Sequence, residues 1–251
     1  MGRSSFEKIR GQLDLTGQLI TPDQVTEPSS AEKLFGRPCP LELEIGSGKG
    51  LFLRKTAPTR PENGFIGVEI AYRYALISAA YLAKGGVKNA VMVNFDAAKL
   101  LEQWVPSRSL RAVHVYFPDP WWKKSHRKRR ILRADVLKLI EDRLDDFGTL
   151  FFRTDVREYY LSTLDLVKAE THLSGPHRIE NPILPNEEPS GEEEPQKLVE
   201  RGADNPPANA PARENEDSLQ TIMDRFSTHF ERRTRLHNLP VYGCQWTKTP
   251  S

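Results

Sequence analysis

The sequence predicts an α/β fold: a mostly parallel, twisted sheet of about seven strands with helices on both faces. Three observations predict it. Short apolar runs recur between residues 41 and 154, and segments with helical spacing of apolar residues separate them. Apolar strands alternating with helices imply a parallel sheet covered on both faces. The first of them enters a glycine-rich turn, Gly46-Ser47-Gly48-Lys49-Gly50, where such sheets bind ligands.

The elements follow in order. Residues 1–40 are polar with little periodicity and read as a loose arm. Leu41–Ile45 is a short strand, and Leu51–Ala57 is helical. Gly64–Ile70 is a second strand. Tyr72–Lys84 is a helix that Gly85-Gly86 ends. Ala90–Phe95 is a third strand and Ala97–Trp104 a short helix. Arg111–Phe117 is a fourth strand. Ile131–Asp145 carries Leu132, Val136, Leu139, Ile140 and Leu144 at helical spacing. Gly148–Arg153 is a fifth strand, followed by a helix from about Asp155 to Thr171. His177–Leu184 and Val241–Thr247 are candidate final strands, with a helix around Leu219–Thr228. No internal repeat is present.

At 251 residues the chain suits one domain, 41–251, carrying an insertion. No run of about 18 apolar residues exists, which excludes a membrane-spanning helix. Residues 1–7 lack the apolar core of a signal peptide. Cys39 and Cys244 are too few for a disulfide framework or a zinc site, so a cytoplasmic location and no bound metal are expected. The net charge of +2 conceals a division. Residues 185–217 hold ten acidic and three basic side chains, a charge of −7, so the remainder carries +9. That acidic segment is rich in Pro, Glu, Asn and Ala and nearly free of aromatic residues. It cannot bury enough apolar surface to offset its ordering entropy and reads as a disordered insert. The basic remainder favours a polyanionic partner.

Residues 116–130 are the most informative stretch: Tyr-Phe-Pro-Asp-Pro-Trp-Trp-Lys-Lys-Ser-His-Arg-Lys-Arg-Arg. Pro118 and Pro120 stop any ladder and stiffen the backbone around Asp119. Trp121 and Trp122 offer stacking surfaces. Seven of the next eight side chains are cationic or can become so. A carboxylate, aromatic faces and a phosphate-binding run in one loop suggest chemistry on a nucleic-acid base.

The glycine-rich turn is neither a P-loop nor the dinucleotide fingerprint, since Leu51 stands where a third spaced glycine is due. Glu44-x-Gly46-x-Gly48-x-Gly50 instead resembles the first motif of S-adenosylmethionine-dependent methyltransferases of the Rossmann-like class. Phe117-Pro118-Asp119-Pro120-Trp121, Lys123 and His126-Arg127-Lys128-Arg129-Arg130 closely resemble the signature of the bacterial tRNA (guanine-N7-)-methyltransferases. That resemblance runs from about Leu41 to Asp155 and resumes at Thr228-His229-Phe230-Glu231. Trp122 departs from it, because many relatives have a small or polar residue there. Asn205-Pro206-Pro207 looks like part of the motif of amino-group methyltransferases, but it lies in the acidic insert rather than after the fourth strand.

The resemblance implies methyl transfer from S-adenosylmethionine to N7 of a guanosine in the tRNA variable loop, position 46. It implies that Glu44, Gly46, Gly48, Gly50, Glu69, Asp96 and Asp119 hold the cofactor and that Asp119 is catalytic. Lys123, Asp155, Thr228 and Glu231 would bind the substrate base, and Ser125, His126, Arg127, Lys128, Arg129 and Arg130 the RNA. The residues by themselves agree in part. Glu69 ends a strand, where a carboxylate can accept ribose hydroxyls. Asp96 can accept from an adenine amino group, and it is also a good helix N-cap. Asp155 with Glu158 has the form of a helix cap as well as that of a base-binding carboxylate. N7 carries a lone pair and no proton, so Asp119 is expected to orient and stabilise rather than abstract a proton. The expected assembly is a monomer or homodimer. An NAD-type oxidoreductase, a non-catalytic RNA-binding protein and a methyltransferase acting on another RNA are the rival readings.

Overall fold

The computed structural model describes residues 13–121, 124–177 and 240–250, with only the backbone of Lys124, Arg127 and Lys128. Among the described residues eight strands form one sheet: β1 (Leu19–Ile20), β2 (Leu41–Ile45), β3 (Gly64–Val68), β4 (Ala90–Val93), β5 (Leu110–Tyr116), β6 (Leu144–Thr154), β7 (Ser174–His177) and β8 (Tyr242–Thr247). Their order is β1-β4-β3-β2-β5-β6-β8-β7. Pairings from β1 through β6 are parallel, and β8 runs antiparallel to both β6 and β7. The helices are α1 (Ala31–Phe35), α2 (Leu51–Thr56), α3 (Tyr72–Lys84), α4 (Ala97–Gln103), α5 (Ala134–Arg143) and α6 (Arg157–Glu170).

Alternate side chains of each inner strand feed two layers. Leu43, Ile66, Val91, Val93 and Val113 pack with Leu100, Val136, Ile140, Tyr159 and Trp246 against α4, α5 and α6. Phe65 and Met92 point the other way, onto Phe52, Leu53, Ala75, Ala79 and Leu82 of α2 and α3. Burial on both faces is why β2, β3 and β4 are buried throughout; β3 and β4 read as continuous uncharged runs, whereas β2 buries Glu42 and Glu44 on one face. From β2 the chain winds outward to β3 and β4, then crosses back to β5 and winds the other way to β6. The order therefore reverses between β2 and β5, and a crevice opens beyond their carboxyl ends.

Three expectations change. The segment expected to be a loose arm contributes β1, whose Leu19 and Ile20 pair with Met92 and Val93, and α1, whose Ala31 is buried. This edge strand makes eight where about seven were expected; two residues leave too short a pattern to read. The helix expected over 131–145 is shorter, because β6 starts at Leu144 and is 11 residues long. Of the candidate strand His177–Leu184 only His177 is described, at the end of β7. The acidic insert 185–217 and the helix expected around Leu219–Thr228 lie outside the described residues. Among the described residues no helix is long and apolar enough to cross a membrane.

Candidate active site

The turn after β2 depends on its glycines. Gly46, Gly48 and Gly50 have φ of 75°, 52° and 70°, a region that costs other residues strain. At Gly50 a Cβ would also lie 1.9 Å from Ser78 Oγ of α3, so the turn and that helix can meet only across a glycine. The Gly46 and Ser47 amides donate to the Val68 carbonyl at 2.9 and 3.2 Å, which draws the turn over the end of β3.

Glu44 is the unusual group of this turn. It lies on the same side of β2 as Glu42, is buried, and its Oε2 has no hydrogen-bond partner. Burial pushes its carboxyl up to about 8; the Ser47 hydrogen bond opposes the shift and the Glu69 charge adds to it. An orphaned carboxylate oxygen at a ligand crevice is complementary to a cationic donor.

Glu69 ties two segments together. Its Oε2 accepts from the Gly48 amide at 3.0 Å and its Oε1 from the Ala71 amide at 2.8 Å. Each oxygen keeps a lone pair for a ligand hydroxyl. The backbone on either side is set by Asn94, whose Nδ2 donates to the carbonyls of Glu69 and Ile70 at 2.9 and 3.0 Å. Sequence reasoning passed over Asn94. Its only signal was a buried-strand amide with a free donor, two residues before Asp96. Asp96 caps α4 by accepting from the Lys99 amide at 3.0 Å through Oδ1, which leaves Oδ2 for another partner.

Asp119 follows β5 across the switch point from Glu44 and is exposed. Positive φ at Phe117 (50°) and Trp121 (44°) brackets it. Such angles at bulky residues persist only where the surroundings over-determine them. Here Phe117 donates its amide to the Arg153 carbonyl at 2.8 Å, and Arg130 Nε donates to the Pro120 carbonyl at 2.8 Å. Arg130 was expected to grip RNA, and that assignment is corrected. Its side chain is buried, lies 4.6 Å over the Tyr159 ring and donates to Ser162 Oγ at 3.3 Å, so it holds the loop from inside.

The basic run Lys124–Arg129 forms a 3-10 helix folded back on Trp121. Arg129 sits 5.1 Å over the Trp121 ring and His126 meets its edge at 5.8 Å. Ser125 and Arg129 are exposed. Trp122, Lys123, Thr228 and Glu231 lie outside the described residues, as do the side chains of Arg127 and Lys128.

Asp155 stands just past β6 at the same edge and does not cap α6. The N-cap there is Val156, with no side-chain cap bond, and its amide donates to Thr154 Oγ1 at 3.1 Å. The Asp155 side chain is therefore not the N-cap of α6. Glu44 thus stands in the last two residues of β2, and Glu69, Asp96, Asp119 and Asp155 follow β3, β4, β5 and β6 in turn. Among the described residues no cluster of His, Cys, Asp or Glu is arranged to hold a metal ion.

A buried polar row beneath the site also escaped sequence reasoning. His114 Nε2 is 2.8 Å from Glu42 Oε2, and His114 Nδ1 is 2.8 Å from the Tyr116 hydroxyl. Glu42 also accepts from Arg60 at 2.7 Å and from Asn63. Burial lowers His114 despite Glu42. Burial alone would raise Glu42, but the His114 hydrogen bond and the Arg60 charge bring it below its ordinary value. The consistent state is an ionised Glu42 accepting from a neutral His114, which in turn accepts from Tyr116.

A family model described as "Putative methyltransferase" matches residues 38–206. The tRNA (guanine-N(7)-)-methyltransferase of Rhodopirellula baltica is 37% identical over 253 residues, covering 99% of this chain and 80% of that protein. The enzymes of that name from Sodalis glossinidius and Aromatoleum aromaticum are each 37% identical. Those matches cover 59% and 68% of this chain and 62% and 66% of those proteins. Among solved structures, the 16S rRNA methyltransferase KamB superposes with a TM-score of 0.54 at 15% identity, covering 92% of this chain and 99% of that one. The aminoglycoside resistance methyltransferase NpmB1 gives 0.51 at 17% identity, covering 92% and 98%. The two structural likenesses show a common fold.

Proposed function

The chain belongs to the tRNA (guanine-N(7)-)-methyltransferase family, and on that premise we propose that it methylates N7 of the variable-loop guanosine 46 of tRNA in the cytoplasm. One observation carries the assignment to this edge of the sheet: the orphaned, buried Glu44 oxygen opens onto the switch point from which Asp119 emerges. S-adenosylmethionine supplies the chemistry, an electrophilic methyl on a sulfonium. The residues present fit it. Glu44 would take the methionine ammonium, Glu69 the ribose hydroxyls and Asp96 the adenine amino group. Ile70, 70% exposed beside Glu69, would give the adenine an apolar face.

The protein's remaining task is to present N7. The lone pair needs no base, so the work is alignment and stabilisation of a purine ring that becomes cationic. Asp119 and Asp155 are carboxylates at the crevice edge, able to accept from the guanine N1–H and N2–H and to favour the developing charge. The target base must leave its stack to reach the crevice. Trp121 would offer it a stacking face, with Arg129 5.1 Å from the ring centroid. Ser125, His126, Arg127, Lys128 and Arg129 would hold the RNA backbone, with Lys123, Thr228 and Glu231 at the base.

The test is transfer of labelled methyl from S-adenosylmethionine to total tRNA, mapped by N7-selective chain cleavage. Label at guanosine 46 is expected. Asp119→Ala should lose at least about 100-fold in kcat while tRNA affinity changes little. Label elsewhere, or a fully active Asp119→Ala, would sink the assignment.

A further inference from the structure

The basic loop is not the only cationic surface at the mouth of the crevice. Between Ile45 and Pro61 the chain carries Lys49, Arg54, Lys55 and Arg60 and no carboxylate, and α3 contains Arg73 and Lys84 and no carboxylate. The helices that carry most of them, α2 and α3, pack side by side, with Arg54 lying 4.5 Å over the Tyr81 ring. Lys49 and Arg73 are close enough that Arg73 helps to lower the Lys49 ammonium, after burial. The first turn of α3 then presents Tyr72 and Tyr74, 42% and 41% exposed, on either side of an exposed Arg73. Residues two apart on a helix are separated by roughly 200°, so the two rings flank the arginine and do not stack on each other.

This turn is fixed to the crevice. Glu69 accepts from Gly48 and from Ala71, so one carboxylate holds both the residue before Lys49 and the residue before Tyr72. Two part-exposed aromatic rings beside a cation match the parts that bind an unpaired nucleic-acid strand. Charge decides the kind of partner: a surface with no carboxylate along α3 selects a polyanion.

We infer that the α2–α3 face, with Tyr72, Arg73 and Tyr74 at its crevice end, is a second tRNA-binding surface. It lies on the far side of the cofactor turn from the loop of Ser125–Arg129. This inference rests on the proposed tRNA activity and adds to it where the RNA lies. An RNA held from both sides of the crevice has its extruded base centred over Asp119. Tyr72 and Tyr74 stack on nucleotides next to the target, and Arg73 takes a phosphate.

The experiment uses the full chain and an in vitro transcript of a tRNA with a guanosine at position 46. Affinity is measured by fluorescence anisotropy over a salt series, and S-adenosylhomocysteine affinity by calorimetry. Tyr72→Ala and Tyr74→Ala should each weaken tRNA binding about 5- to 100-fold. Arg73→Ala should reduce the slope of log affinity against log salt by about 0.9. S-adenosylhomocysteine affinity should stay within about twofold in all three, and kcat at saturating tRNA should fall far less than kcat/KM. Unchanged tRNA affinity and salt slope, with a wild type that methylates tRNA, would overturn the inference and leave the activity standing. Loss of S-adenosylhomocysteine affinity in parallel with tRNA would assign the turn to the cofactor site and overturn it too. A dimer in the wild type that Tyr72→Ala dissociates, with tRNA affinity kept, would make the face a protein contact. A wild type that binds no tRNA would overturn this inference and the proposed function together.

Discussion

Glu44→Gln tests the site at its most perturbed group. In the free protein burial holds the Glu44 carboxyl near 8, against an ordinary value of 4.5. At pH 7 it is therefore roughly 90% protonated, and an ammonium ligand must drive that proton off. Binding of S-adenosylhomocysteine at pH 7 should release about 0.9 proton, visible in calorimetry as a buffer-dependent enthalpy. Between pH 6 and pH 8 affinity should rise about 50-fold, as the ionised fraction rises with pH. Stability of the free protein runs the other way. A carboxyl raised in the folded state binds more protons there than in the unfolded chain from pH 4.5 to 8, so stability falls as pH rises through that window. The loss should be about 2 kcal/mol between pH 6 and pH 8 by denaturant titration. Glu44→Gln should abolish the proton release, flatten both pH dependences and weaken binding at pH 8. A wild type with no proton release, or a Gln variant with the same pH dependence, would refute the role given to the orphaned oxygen.

The buried row beneath the site should appear in the Glu44→Gln background. His114 is lowered in the fold, so its contribution is complete above pH 6.5 and is lost as pH falls below it; Glu42, also lowered, adds a further loss below about 4.5. Denaturant midpoints rising toward acid in that background would contradict the state assigned to the pair. Arg130→Met should destabilise the protein by about 1–3 kcal/mol and lower kcat, because the Pro120 carbonyl loses its donor. Its salt slope for tRNA should stay unchanged, and a decrease of about 1 would return Arg130 to the RNA surface. Gly50→Ala should cost several kcal/mol in thermal and denaturant unfolding, since it meets Ser78 and holds φ at 70°. Gly46→Ala, with φ of 75° but nothing within 4 Å of the added Cβ, should cost only about 1 kcal/mol. Equal costs at the two positions would remove the contact with Ser78 as the reason for Gly50.

Much of this protein is legible one residue at a time. β2 and α3 run over Leu41–Ile45 and Tyr72–Lys84, as read from apolar spacing and from the Gly85-Gly86 stop. Glu44, Glu69, Asp96, Asp119 and Asp155 could be named because each lies within two residues of the end of a strand-forming run, and a parallel sheet sends every such end to one edge. Strand ends and turn glycines are local signals, written within a few residues. What stayed hidden depends on partners far along the chain. Two residues pairing with Met92 and Val93 make an edge strand that no periodicity announces. Arg130 looked like one more cation in a basic run, yet the Pro120 carbonyl and the Tyr159 ring draw it inward. Asp155 and Val156 exchange cap roles according to where β6 ends.

The alternation of strands and helices, the turn that requires glycine and the order in which carboxylates reach the sheet edge are all written in the amino-acid order. Those follow from backbone sterics and from apolar periodicity, which act over short distances. Which charges are buried, and what they touch, is set by packing in three dimensions. Glu44 and Glu42 lie two residues apart on one strand and are both buried, but one is orphaned and the other has His114, Arg60 and Asn63. Desolvation and hydrogen-bond satisfaction are properties of the packed environment. They separate a carboxyl held near 8 from one kept ionised, and they leave the open valence where a cationic ligand can bind.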